Sequence, residues 1–243
     1  MNEPKRKQNA RKLPQEIQDR ILLLCPVHIA ISLGNEHVKR QLLSTLSRSH
    51  SWNSQNIQAL QWLHKYNVSG CTEHIVYRAA ARGDLEILQW LRANRTEGCW
   101  TYAMGVAAGH GHMAVLRWLH DESSSIEGRF PTCPTWGMDN AAANGHCSVV
   151  EWLHENGYQC TQWAMNRAAE NGHLQVVRFL HYHRREGCSS WAMDVASLNG
   201  HLHVVKFLHE HRTEGCTTRA MDLADRCGHL ELVRWLHQHR NEG

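Results

Sequence analysis

The feature that most constrains the fold is a short segment that recurs about every 28 residues. An aromatic residue followed by leucine, in most copies with a histidine next, marks it at Trp62-Leu63, Trp90-Leu91, Trp118-Leu119, Trp152-Leu153, Phe179-Leu180, Phe207-Leu208 and Trp235-Leu236. The successive steps are 28, 28, 34, 27, 28 and 28 residues. A fixed period of this length is typical of stacked units that cannot bury their apolar faces alone. The sequence therefore predicts an extended repeat array.

Each unit has the pattern of two helices joined by a tight turn. In the last copy, Thr217 and Thr218 precede a run of helix formers and predict an N-cap. Gly228 follows that first helix, at a place that favours a residue tolerant of positive φ. Apolar residues recur with helical spacing from Leu230 to Leu236, and no segment alternates with a period of two. We predict an all-α fold, an α-solenoid of helix pairs of roughly 10 and 12 residues.

These units resemble the ankyrin repeat. The matching stretches are Ala164-Met165-Asn166 with Ala168-Ala169, and then Gly172-His173-Leu174-Gln175-Val176-Val177-Arg178-Phe179-Leu180. Two columns differ from the family: Met138, Met165, Met193 and Met221 stand where it has leucine, and Asp139, Asn166, Asp194 and Asp222 where it has histidine. The resemblance implies an array that binds proteins in a concave groove. Because the period is about five residues short of 33, we expect a reduced β-hairpin finger.

The sequence divides into a basic tail (1–12), a helical segment (13–52) and the ankyrin-like array (53–243). Leu13-Pro14-Gln15-Glu16-Ile17 resembles the opening of an F-box, which implies docking of residues 13–50 onto a ubiquitin-ligase adaptor. The alternative is an amphipathic helix that caps the first repeat, as a solenoid requires. The main functional prediction is a non-catalytic scaffold that binds a partner protein through the concave groove of the array. The alternative is an F-box-like substrate-recruiting subunit of a ubiquitin ligase.

Charge and hydropathy narrow the class of partner. The net charge is only +3, with cationic residues spread along the chain, and this argues against nucleic-acid or membrane partners. No apolar run approaches the length of a membrane span, and the predicted location is cytoplasmic or nuclear. A column of basic residues on the second helices is interrupted by Gln89 and Glu151, and we interpret it as a solvated face: Arg117, Arg178, Lys206 and Arg234.

Cysteine and histidine are abundant but repetitive. One cysteine column is expected to consist of free, mostly buried thiols: Cys71, Cys99, Cys133, Cys160, Cys188 and Cys216. Most of the 20 histidines also occupy fixed repeat positions, which predicts structural roles. We expect those after glycine to form hydrogen bonds near the start of the second helix, and those after the aromatic–leucine pair to donate to free carbonyls in its last turn. Catalysis needs one distinguished site with a base and an orienting group. We therefore predict no catalytic residues, no metal site and no cofactor.

Positions that differ between units are the candidates for partner recognition. The clearest column lies two residues before the methionine column, at His74, Tyr102, Trp136, Trp163, Trp191 and Arg219. It falls at the start of each first helix, beside the loop that faces the groove in ankyrin-like arrays. We predict that Tyr102, Trp136, Trp163, Trp191 and Arg219 are the partner-binding anchors. The alternative is that the rings lean onto the next unit's loop and cysteine and fill space.

Two further departures concern the connections and the end of the chain. About six extra residues lie within Asp121–Pro134, where we expect a mobile polar loop with Phe130 at its tip. The chain stops at Asn241-Glu242-Gly243 with no polar capping unit. We expect that the array continues beyond Gly243, and the alternative is that this flank meets a partner or another copy of the chain.

Overall fold

The computed structural model describes residues 72–94, 100–125 and 133–239. These residues contain twelve α-helices and no strand, so the all-α solenoid prediction is confirmed. The helices are α1 (Thr72–Arg82), α2 (Leu85–Asn94), α3 (Trp100–Gly109), α4 (Met113–Ser125), α5 (Thr135–Ala143), α6 (Cys147–Glu155), α7 (Gln162–Glu170), α8 (Leu174–His183), α9 (Ser190–Leu198), α10 (Leu202–His211), α11 (Arg219–Arg226) and α12 (Leu230–His239). The basic tail and the F-box-like segment lie outside the described residues.

The chain divides into two compact units. The described part of the first comprises residues 72–78 and 86–94, where Ile75, Leu88 and Leu91 are buried. The described part of the second comprises residues 79–85, 100–125 and 133–239. The second unit contains every predicted anchor of the partner-binding column.

Odd-numbered and even-numbered helices form two layers in the second unit. From α3 to α12, each odd-numbered first helix packs on the second helix that follows it and on the first helix of the next pair. Consecutive first helices approach one another more closely than consecutive second helices do. Buried alanines, such as Ala168 and Ala169 on α7, allow this close approach.

A glycine and a histidine of neighbouring units fix the turn within each pair. Gly200 has a φ of 76°, as the sequence predicts for this column, and an added Cβ would lie 2.6 Å from the His229 ring. Nε2 of His229 donates to the Leu198 carbonyl at 3.0 Å. His112 makes the same contact with the Ala81 carbonyl at 2.9 Å. The histidines after glycine are therefore structural, as predicted.

The histidines after the aromatic–leucine pair have a different role from the predicted one. We expected them to donate to free carbonyls in the last helical turn. Instead, His154 meets the edge of Phe179 in the next unit, with ring centroids 5.5 Å apart. The carbonyl contact belongs to the histidine two residues further on, because Nδ1 of His183 lies 3.0 Å from the Phe179 carbonyl oxygen. Both histidines thus support packing between and within the second helices.

The connections between pairs are short and contain no strand in the described residues. Arg212 forms an ion pair with Glu214 and lies over Gly187, where an added Cβ would be 2.7 Å from its guanidinium. The equivalent Arg184 pairs with Glu186 in the preceding connection. The expected reduction of the finger is consistent with these compact arginine-braced loops.

The insertion differs from its expected structure over its first residues. We expected a polar loop from Asp121, but α4 continues as helix through Ser125. Asp121-Glu122 and the serines after them contain no proline or glycine, so nothing stops the helix there. Phe130 lies outside the described residues.

Candidate partner-binding surface

Hydrogen bonds between units fix where each first helix begins. Asp139 on α5 accepts from the Thr161 backbone N–H at 2.8 Å and from its hydroxyl at 2.7 Å. The Thr161 Oγ1 in turn accepts from the Trp163 N–H at 3.1 Å and caps α7. Burial raises the pKa of Asp139, and the two bonds from Thr161 oppose that rise. The side chain of one unit therefore positions the aromatic residue of the next.

The same bridge recurs at the next two junctions. Oδ1 of Asn166 accepts from the Ser189 N–H at 3.0 Å, and its Nδ2 donates to the Ser189 hydroxyl at 3.1 Å. Asp194 accepts from the N–H and the hydroxyl of Thr217 at 2.8 and 2.7 Å. Thr217, not Thr218, then caps α11 by accepting from the Arg219 N–H at 3.2 Å. The Ser189 side chain makes no capping bond to α9, so Trp191 is positioned by the bridge alone, whereas Arg219, like Trp163, follows a capped helix start.

The junction between α3 and α5 lacks this bridge. Gly105 stands at the acceptor position and Pro134 at the donor position, so neither the carboxylate nor the N–H is present. The Trp136 ring fills the space, and an added Cβ on Gly105 would lie 2.3 Å from it. Trp136 therefore leans back onto the preceding unit, whereas the space-filling alternative had the rings leaning forward.

The four rings of the column associate in two pairs. The ring centroids of Tyr102 and Trp136 are 5.9 Å apart with a tilt of 38°. Those of Trp163 and Trp191 are 5.5 Å apart and nearly perpendicular, at 75°. Both separations lie in the range of favourable aromatic contacts. We call the first pair, Tyr102 and Trp136, the amino-terminal platform, and the second, Trp163 and Trp191, the carboxy-terminal platform.

Arg167 braces the carboxy-terminal platform and was not among the predicted anchors. Its Cζ lies 5.8 Å from the ring centroids of both Trp163 and Trp191, within cation–π range. Its guanidinium also pairs with Glu170 at 3.0 Å. Arg167 follows Trp163 by four residues on one helix, a spacing that places two side chains together. That spacing was the available signal.

The platforms are accessible at one ring each. Tyr102 is 57% exposed and Trp163 is 48% exposed, while Trp136 and Trp191 are half-buried beneath them. Arg219 is exposed on α11. The structure therefore brings the five predicted anchors to one layer of helices, in two ring pairs and one separate cation. The side chain of His74 lies outside the described residues.

A second variable column, at the end of each first helix, contributes hydrogen bonds between neighbouring units. It comprises Arg82, His110, Asn144, Asn171, Asn199 and Cys227. Asn144 donates to the Gly109 carbonyl, Asn171 to that of Ala143 and Asn199 to that of Glu170, each at 2.7 Å. Variation along this column therefore changes the hydrogen bonds between neighbouring units.

Three described cysteines of the column, Cys133, Cys160 and Cys188, are not activated nucleophiles. Their thiols are free, and Cys133 and Cys160 are buried. Burial raises the pKa of Cys133 and of Cys160 to about 12, and that of Cys188 to about 11. A thiol with such a pKa stays protonated at neutral pH and is a poor nucleophile. No three histidine, cysteine or carboxylate side chains converge on a common point in the described part of the chain.

Comparison with known proteins agrees with this geometry. Residues 138–219 match the family model for ankyrin repeats (3 copies). Among solved structures, the human ASB11 ankyrin repeat domain aligns with a TM-score of 0.54 and 19% identity, covering 69% of this chain and 84% of that one. No curated protein matches. The match assigns ankyrin repeats to residues 138–219, and ankyrin repeats are protein–protein interaction modules that are typically non-catalytic. None of the described helices combines the length and apolar character that a bilayer span needs.

Proposed function

We propose that this chain is a non-catalytic scaffold that binds a partner protein through the start of its first helices. Tyr102, Trp136, Trp163, Trp191 and Arg219 are the anchors. The observation that carries the proposal is the exposure of Trp163, 48% of whose surface faces solvent while its ring is fixed by Trp191 and Arg167. Rigid, exposed aromatic side chains near the centre of a surface dominate interface energies.

The test compares two aromatic truncations in a pull-down from cell extract. Trp163→Ala should lose the retained partner, while Tyr182→Ala should keep it. Tyr182 is a matched control because it is 59% exposed and lies on α8, in the layer of second helices. Circular dichroism should give the same melting temperature for both variants. Retention of the partner by a folded Trp163→Ala variant would contradict the proposal.

The F-box-like opening supports a second role, in recruitment of the bound protein to a ubiquitin ligase. It rests on Leu13-Pro14-Gln15-Glu16-Ile17 alone. The expected result is co-purification of an adaptor with residues 1–243 that is lost on Leu13→Ala with Pro14→Ala. If that double variant retains the same partners, residues 13–50 act as a cap on the first repeat.

A further inference from the structure

We infer that the aromatic surface takes a proline-rich segment in the polyproline II conformation, with an acidic residue directed toward Arg219. This inference rests on the proposed function and names the class of partner for the same surface. Three features carry it: the spacing of the two platforms, the chemistry of the rings and the position of the exposed cation.

Spacing gives the first argument. The platforms are two repeat units apart, since one is shared by α3 and α5 and the other by α7 and α9. Packed helices lie about 8–10 Å apart, so the platforms are separated by about 16–20 Å. A polyproline II helix rises about 3.1 Å per residue with three residues per turn, so each turn advances about 9 Å. One turn of the ligand therefore matches one unit of the array, and residues about six apart face the two platforms.

Ring chemistry gives the second argument. Proline-rich segments dock on surfaces lined by aromatic side chains, and they do so without backbone pairing because their conformation is already formed. Trp163 and Trp191 meet nearly perpendicularly, which exposes a ring face beside a ring edge. Arg167 contacts both rings and limits their motion. The carboxy-terminal platform is thus rigid before the ligand arrives, which lowers the entropic cost of binding.

Other peptide conformations fit this surface less well. An extended strand would also place same-face side chains about 20 Å apart, but it needs a strand edge to pair with. The described residues contain no strand. An amphipathic helix needs a continuous apolar groove. One turn beyond the rings, however, the exposed side chains of α5 and α7 are Asn140 and Arg167.

The exposed cation Arg219 determines where the ligand carries an acidic residue. Arg219 occupies the anchor column one unit beyond Trp191 and is exposed. Asp222 lies three residues further along α11 and forms no ion pair with Arg219 among the described residues. Arg219 lies about one and a half units from the middle of the carboxy-terminal platform, and this distance corresponds to about four or five residues of a polyproline II helix. We therefore place an acidic residue about that far beyond the proline over Trp163 and Trp191.

The test is fluorescence anisotropy on residues 1–243 with three labelled peptides of equal length. The first has about ten prolines followed by two aspartates, the second has two lysines in their place, and the third replaces the prolines with glycine and serine. We expect the first peptide to bind at least about tenfold more tightly than the third. Trp163→Ala should weaken the first peptide about tenfold or more, and Tyr182→Ala less than about twofold. Arg219→Glu should weaken the aspartate peptide and strengthen the lysine peptide.

The outcomes separate this inference from the proposed function. Equal binding of the proline and glycine–serine peptides, no binding of either, or equal loss in Trp163→Ala and Tyr182→Ala would overturn the polyproline assignment. If the extract partner is still lost on Trp163→Ala, the proposed function stands and only the ligand class is wrong. If the extract partner survives Trp163→Ala as well, both fail.

Discussion

Asp139 and Thr161 are 22 residues apart in the chain, yet the carboxylate of Asp139 accepts both the N–H and the hydroxyl of Thr161. The contact joins α5 to the start of α7, and it recurs between Asp194 and Thr217. This contact fixes the position of one unit relative to the next, and we call it the register pin. Because Trp163 lies in the first turn of the helix that Thr161 caps, the same contact couples the stability of the stack to the geometry of the binding surface.

Removal of this pin should cost stability in proportion to the hydrogen bonds lost. Asp139→Ala leaves two donors of Thr161 without their acceptor, and we expect a loss of about 1–3 kcal/mol in the free energy of unfolding. Asp139→Asn should cost less, because Asn166 makes the equivalent contact with Ser189. Urea denaturation followed by circular dichroism measures both. Equal losses for the two variants would show that the carboxylate charge, and not the hydrogen-bond pattern, matters.

Gly105→Ala should destabilise the junction where the pin is absent. Its Cβ would lie 2.3 Å from the Trp136 ring, so the ring must move or the helices must separate. We expect a loss of about 1–3 kcal/mol, as for other overpacked sites. In Gly105→Ala with Trp136→Ala the clash is gone, and the two losses should not add. Additive losses in urea denaturation would mean that the glycine acts through the backbone alone.

Periodicity predicted the parts of the structure that depend on local residue order. Helix pairs, the glycine turn and the structural role of the histidine after it all follow from spacing along one chain. The grouping of the anchor column into two platforms does not, because ring orientation depends on neighbours from another unit. Trp136 turns back onto the preceding helix only because residue 105 lacks a side chain, and Gly105 is about 31 residues upstream.

Some of the missed site was nevertheless encoded in the sequence. The loss of the acceptor at Gly105 coincides with the loss of the donor at Pro134, so the two columns change together. Comparison of these columns predicts that residues 105 and 134 belong to one junction. Arg167 could likewise be assigned from its spacing to Trp163, although its contact with Trp191 required the packed structure. Long-range ring contacts were therefore the part that local patterns could not supply.

The glycine turns offer a matched pair for measuring the histidine contact. Gly200 and Gly228 have φ values of 76° and 77°, so alanine strains the backbone equally at both. A Cβ at Gly200 would lie 2.6 Å from His229, whereas no atom of the described residues lies within 4 Å at Gly228. We expect Gly228→Ala to cost about 1 kcal/mol and Gly200→Ala about 1–3 kcal/mol more in urea denaturation. Equal effects would argue against the glycine–histidine contact as a source of stability.

Acid should destabilise the array before its carboxylates titrate. Burial lowers the pKa of His146, His181 and His201 in the folded protein. The unfolded chain therefore binds more protons than the folded one once the pH falls below the ordinary histidine pKa of about 6.5, and stability declines with falling pH. The nearby charges of Arg212 and His211 also lower the pKa of His181, whereas the charge of Glu214 raises it. The buried Nδ1 of His181 has no hydrogen-bond partner among the described residues.

The measurement for His181 is the urea midpoint at pH 7.5 and 5.5. Wild-type protein should have the lower midpoint at pH 5.5. His181→Leu keeps an apolar contact with Phe207, whose ring centroid lies 5.5 Å from that of His181, but cannot take up a proton. Its midpoint should fall less between the two pH values than that of wild type or of His237→Leu, a control at an exposed position on α12. An unchanged pH dependence in His181→Leu would place the acid sensitivity at other histidines, since this side chain would then bind protons equally in both states.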